Sequence, residues 1–193
     1  LNANKRSITL DLDAPGDCDA ARQLAARATV VLEGEAPGPM DALGLGYAHI
    51  RAANPEAVYT SLSWFGQTGS RRDWLGSDAI AQALAGFIYP IGPMAGPPIL
   101  PGGYNAQITA GVTAFIAVMC ALTGRVLGQR AAVHIDQSVV DAQTTYTETS
   151  GVRAAYDGAD SIRKGLNKFT PTYPQTIYPA ADGWIGVTVL TPA

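Results

Sequence analysis

Charge is scarce in this 193-residue chain. Asp, Glu, Lys and Arg make up 15% of it, with 13 basic and 16 acidic side chains and a net charge of −3. That balance, with no run of Lys or Arg, excludes the basic face of a nucleic-acid binder and the polybasic cluster that seeks an anionic membrane. Cysteine is scarcer still. Cys18 and Cys120 lie far apart with no metal-ligand spacing, so neither a disulfide framework nor a metal site is expected, and a reducing, cytoplasmic compartment fits. Cys120 falls within an apolar, helix-like run, where a buried free thiol is expected. Histidine is limited to His49 and His134, in helix-like and strand-like surroundings, and both read as structural. The longest apolar run, Ile108 to Leu122, is interrupted by Thr109, Gly111 and Thr113. It is too short to span a bilayer and reads as a buried core helix.

What is present is a globular composition, 47% hydrophobic, with enough length for one sizeable core or one domain plus part of another. The first residues, with Asn2, Asn4, Lys5 and Arg6, do not make a targeting signal. The last ones run through Trp184-Ile185-Gly186-Val187-Thr188-Val189-Leu190, a strand pattern, so an internal piece of a longer protein is expected.

Ser7 to Leu12 alternates polar and apolar residues as a half-buried strand does. Pro15-Gly16 punctuates, and Asp17 or Asp19 can cap a helix to about Ala28. Thr29 to Leu32 and Ala57 to Leu62 read as buried parallel strands, with short helices between them up to Ala53. A helix is expected over Ser77 to Ile88, then a Pro/Gly-rich loop to Gly103 and the long apolar helix. A strand follows at Ala132 to Asp136, and a helix from Ser138 to about Tyr156. Ile177 to Leu190 reads as a hairpin turning at Ala181-Asp182-Gly183. Alternating strands and helices argue for an α/β fold with a Rossmann-like parallel sheet. Ligands of such sheets bind beyond the carboxyl ends of the strands, which points to Glu33–Gly38 and Ser63–Gly69.

Several segments, in order, resemble one family. They are Asn4-Lys5-Arg6-Ser7-Ile8-Thr9-Leu10-Asp11-Leu12, Pro37-Gly38 with Leu43-Gly44-Leu45-Gly46-Tyr47, Ser61 to Gly69, Asp78-Ala79-Ile80-Ala81-Gln82-Ala83, Thr109-Ala110-Gly111, Thr123-Gly124-Arg125, His134 to Ala142, and Ala181-Asp182-Gly183-Trp184. Together these resemble the class III CoA-transferases, which also include formyl-CoA transferases and 2-methylacyl-CoA racemases. The resemblance implies the large Rossmann-like domain over 1–156, a linker at 157–176 and the first strands of a small domain at 177–193. It further implies CoA or an acyl-CoA as substrate, with no metal. A carboxylic acid is the implied co-substrate, and the implied assembly is a homo- or heterodimer of the interlocked kind.

The family reaction passes CoA from an acyl-CoA to a carboxylic acid through an aspartyl anhydride. The resemblance puts that aspartate four residues before Gly111, where this chain has Gln107. A carboxylate attacks a thioester; a carboxamide, its nitrogen lone pair delocalised, does not. The CoA-contacting positions implied are Leu10, Gly34, Glu35 and Leu43, and the loop over the acyl group is Ser63, Trp64, Phe65, Gly66 and Gln67. Asp13, Ala36 and Ala42 stand where relatives often carry cations and Glu35 adds an acid beside them; each lost charge-assisted bond to a phosphate weakens binding by roughly 1.5–3 kcal/mol. Trp64 replaces a glycine of the family pattern and either reshapes the acyl pocket or plugs it. The racemases' His–Asp motif reads Gly76-Ser77-Asp78, which disfavours racemization, and Asp78, Asp136 and Asp141 read as structural. Three readings stay open: a divergent transferase, a catalytically silent half supporting an active partner, and a CoA-binding regulatory module.

Overall fold

A computed structural model describes residues 2–128, 132–160, 162–165 and 174–188. The strands are β1 (Val30–Glu33), β2 (Val58–Ser63), β3 (Val133–Ser138), β4 (Gln175–Ala180) and β5 (Gly183–Thr188). The helices are α1 (Pro15–Arg27), α2 (Pro39–Ala42), α3 (Tyr47–Ala53), α4 (Asp78–Leu84), α5 (Asn105–Val126), α6 (Val139–Gln143) and α7 (Glu148–Asp157), with a 3-10 turn at Thr144–Thr147. β1, β2 and β3 form a parallel sheet in that spatial order, with Val58 paired to Val30 on one side and Val133 on the other. The class is therefore mixed α/β with a parallel sheet. β2 is central and nearly all buried, as expected for a strand flanked on both edges.

Two clusters build the core. Ile50, Ala57 and Tyr59 pack with Ala25, Val31 and Tyr47 on α1, α3 and the sheet. Ala81, Ala106, Ala110, Val139 and Ala142 meet beneath Leu62 and Trp64, where three helices converge on the end of β2. Alanine dominates that second cluster because small side chains let α4, α5 and α6 approach closely. His134 stacks on Tyr47 with ring centres 4.7 Å apart, and its Nε2 lies 3.0 Å from Ser61 Oγ, so it joins β3 to β2 and α3. Burial, with the carboxylates of Glu33 and Asp41 nearby, drives the Tyr59 phenol well above its usual pKa and keeps it neutral.

Several sequence expectations are corrected. Ser7 to Leu12 forms no strand; Ile8 is exposed and no neighbouring strand pairs with the segment among the described residues. Alternation makes a strand only where a partner takes up the backbone groups. Helix α1 begins at Pro15, before Asp17 and Asp19; a proline suits the first helical turn, whose N–H has no intrahelical partner. Asp17 instead accepts the Asp11 N–H at 2.9 Å, and Asp19 pairs with Arg22. The first strand shifts to Val30–Glu33, and as an edge strand it leaves Leu32 exposed.

Helix α4 stops at Leu84, short of Ile88, where Gly86 adopts φ 78°, a left-handed stop that glycine accepts readily. The helix expected over Ser138 to Tyr156 breaks at Thr144–Thr147. There the hydroxyls of Thr144, Thr145 and Thr147 bond to the carbonyls of Asp141, Ala142 and Thr144, competing with the helical ladder.

Helix α5 is longer than expected and buried on one face only. Ala106, Thr109, Ala110, Ala114 and Val118 pack inward, while Ile108, Val112, Phe115, Ile116 and Met119 are exposed. Cys120, expected buried, is exposed on this helix; Cys18 is buried. By length and composition alone α5 could cross a bilayer, yet its inner face packs against α4, α6, β2 and β3. β4 and β5 form the expected hairpin, turning through Ala181-Asp182. Residues 189 and 190 of its second strand, and 161 and 166–173 of the predicted linker, lie outside the described residues.

Candidate functional site

The three parallel strands end on the same side, and the residues that follow them surround a cavity of about 680 Å³. Gly34 to Pro37 follow β1, Ser63 closes β2 and leads to Trp64, and Val139 follows β3. Gln107 comes in from the first turn of α5, and the segment Arg72 to Gly76, ahead of α4, closes another wall. The volume lies within the usual range for small-molecule sites.

Asp78 fixes the entry of α5. Its Oδ1 accepts the Gln107 N–H at 3.1 Å, and its Oδ2 accepts from Nε2 of the buried Gln82 at 2.6 Å. One carboxylate thus satisfies an otherwise orphaned helix N–H and a buried amide. With both oxygens engaged, Asp78 orients the helix and is no free nucleophile. The Gln107 side chain is exposed at the amino end of α5, where the helix dipole favours negative charge. Ser63 is buried, lines the same cavity, and its hydroxyl has no hydrogen-bond partner among the described residues.

Trp64 forms a wall without closing the cavity. Its carbonyl accepts the Val140 N–H at 3.2 Å, and its indole lies against Gly76, where an added Cβ would overlap the ring. Gly76→Ala is therefore expected to displace the indole and lower stability by about 1–3 kcal/mol, the usual cost of overpacking. A chemical denaturation midpoint checks this; an unchanged midpoint would mean that the indole moves freely.

The expected site residues divide. Gly34, Glu35, Ser63, Trp64 and Gln107 share the cavity. Phe65 does not line it but packs edge-on against Trp74, ring centres 5.8 Å apart. Gly66, at φ 84°, sits where a Cβ would come within 3.6 Å of the Asp136 carboxylate, which accepts the Gln67 N–H at 3.0 Å. Gln67 borders a separate small cavity with Tyr59 and His134.

Leu10 and Leu43 lie away from the main cavity. Leu43 caps α2, and its carbonyl accepts from Arg22 Nη2 at 2.7 Å. Ala36 and the acid Glu35 beside it border the cavity, while Asp13 and Ala42 are exposed outside it. Sequence reasoning missed Leu62, Val139 and the segment Arg72-Asp73-Trp74-Leu75. An available signal was the pair of large apolar residues Trp74-Leu75 inside a charged loop.

The sequence model of CoA-transferase family III matches residues 1–193. The chain is similar to a succinate–glutarate CoA-transferase of Agrobacterium fabrum, 33% identical over 184 residues that cover 95% of this chain and 46% of the relative. It is 32% identical to an acetyl-CoA:oxalate CoA-transferase of Acetobacter aceti, covering 94% of this chain and 46% of that one. A crystal structure of a CaiB/BaiF family protein from Brucella suis superposes with a TM-score of 0.87 at 29% identity, covering 95% of this chain and 48% of that one. The chain thus spans about half the length of the relatives it matches.

Proposed function

The chain belongs to CoA-transferase family III, and from that premise we propose that its cavity receives an acyl-CoA thioester and a carboxylic acid without forming an anhydride at Gln107. The observation that carries this reading is Gln107 itself, a carboxamide exposed to the cavity on the first turn of α5. In the family reaction a carboxylate at this place attacks the acyl carbon, CoA thiolate departs, and the anhydride is then opened. An amide offers no oxygen nucleophile of that strength. Its NH2 group is a hydrogen-bond donor at the cavity surface, whereas the unpartnered Ser63 hydroxyl is buried behind it. The amide suits a thioester carbonyl in its ground state, so the site as built favours holding over cleaving.

The apolar walls, Leu62, Trp64 and Val139 among them, suit the acyl chain and the pantetheine arm. The protein then acts as a silent half beside an active partner, in a heterodimer of the family kind or in tandem with an active second domain. The test is calorimetric titration of CoA and succinyl-CoA into the intact protein, beside an assay of CoA transfer to succinate, glutarate and oxalate. Binding of the thioester without turnover is expected. Turnover by the wild type would overturn the proposal, and so would absence of binding.

A further inference from the structure

Among the described residues that line the main cavity, Arg72 is the only cation, set against the carboxylates of Glu35 and Asp73. Its Nε pairs with Asp73 Oδ1 at 3.1 Å. Its two terminal nitrogens have no hydrogen-bond partner among the described residues, which leaves the edge that binds a carboxylate in a two-point fork.

The loop that carries it is anchored at several points. Arg72 N–H bonds back to the Gly69 carbonyl at 3.4 Å, and Gly69 takes φ 90° to make that turn. Trp74 N–H bonds to the Arg71 carbonyl at 2.9 Å, and the Arg71 guanidinium lies 5.4 Å over the Trp74 ring, which meets Phe65 nearly at right angles. Beyond it, Gly76 lies against Trp64. Contacts of its neighbours Trp74 and Gly76 therefore anchor the loop, and the exposed Arg72 lines the cavity while Arg71, engaged with Trp74, does not.

We infer that Arg72 is a specificity-determining residue that takes the second carboxylate of a dicarboxylic acid in this cavity. This rests on the reading that the cavity receives a carboxylic acid. One carboxylate of such a ligand is the reacting group of the family chemistry, and the other needs a cation. The apolar surfaces of Leu62, Trp64 and Trp74 accommodate the methylene spacer between them. A monocarboxylic acid of the same length meets the same apolar walls and leaves the guanidinium unused. The phosphates of CoA are the competing anions, so the experiment separates the two sources.

Glutarate, pentanoate and CoA are each titrated into the intact wild-type protein and into Arg72→Gln and Arg72→Lys variants, with thermal melts to confirm folding. The wild type is expected to bind glutarate more tightly than pentanoate. Arg72→Gln is expected to lose roughly tenfold to a hundredfold in glutarate affinity, with pentanoate and CoA affinities unchanged. Arg72→Lys, which keeps the charge and loses the fork, is expected to fall between.

The inference is overturned if the wild type does not prefer glutarate, if Arg72→Gln weakens both acids equally, or if only CoA binding falls, which would assign the guanidinium to a phosphate. A wild type that prefers glutarate through Arg72 yet binds neither CoA nor acyl-CoA would reject the acyl-CoA reading while leaving the role of Arg72 intact.

Discussion

Replacing Gln107 with aspartate is expected to raise CoA transfer in the intact protein by at least about 10³-fold over the wild type, since deleting an enzyme's nucleophile costs up to roughly 10⁶-fold. The backbone already places position 107 on the first turn of α5 and at the cavity, with its N–H held by Asp78. The substitution supplies the missing oxygen nucleophile at the amino end of a helix, where the dipole favours the ionised form. The nearby carboxylate of Asp78 opposes that effect, which is one reason to expect less than full recovery. Stability should change little, because Asp suits the first turn of a helix. A radiolabelled transfer assay from succinyl-CoA to glutarate, with trapping of the acyl-enzyme by hydroxylamine, measures the outcome. If the variant binds acyl-CoA yet stays inert, the residues beyond position 107 have also lost the chemistry.

Removing Asp78 is expected to have the largest effect on stability. Asp78→Ala strips the N–H of Gln107 of its acceptor, a loss of about 0.5–2 kcal/mol for a helix start. It also leaves the amide of Gln82, 1% exposed, without its 2.6 Å partner, and an unsatisfied buried group costs about 1–3 kcal/mol. Together the cost is about 2–4 kcal/mol, a large part of the stability of an ordinary domain. Asp78→Asn should be mild by comparison. Its carbonyl can still accept from Gln107, and a flipped Gln82 amide can present Oε1, unpartnered in the present arrangement, to the new NH2 group. Urea denaturation of the two variants checks both halves; equal loss in both would mean that the negative charge, not the hydrogen bonding, matters.

The parallel sheet was legible because β1, β2 and β3 are short runs rich in apolar and β-branched residues at intervals that leave room for helices. The side of the sheet that carries the cavity was legible for the same reason, since strand ends in such folds converge. Gly34, Glu35, Ser63, Trp64 and Gln107 followed from motif resemblance. Their role in catalysis or binding is the proposal above; their shared cavity is geometry.

What stayed hidden depends on contacts that no local pattern encodes. Ser7 to Leu12 has the alternation of a strand and lacks a partner. The Thr144–Thr147 break comes from hydroxyls that compete for helical carbonyls, and it looks like ordinary helix by hydrophobic spacing. The apolar composition of α5 suggested full burial, including Cys120, yet composition does not say how many faces of a helix are covered. Arg72 sits in a loop with no periodicity at all, and only the packing of Trp74 and Gly76 brings it to the cavity.

The indole of Trp64 and the bare Cα of Gly76 share one volume. Two positions far enough apart to look independent in the sequence are therefore tied sterically. A side chain enters at position 76 without displacing the indole only after position 64 has become small, and a tryptophan fits this pose at 64 only while 76 is glycine. Shrinking position 64 before filling position 76 avoids the clash and the reverse order meets it, so the two substitutions are coupled and their effects do not add.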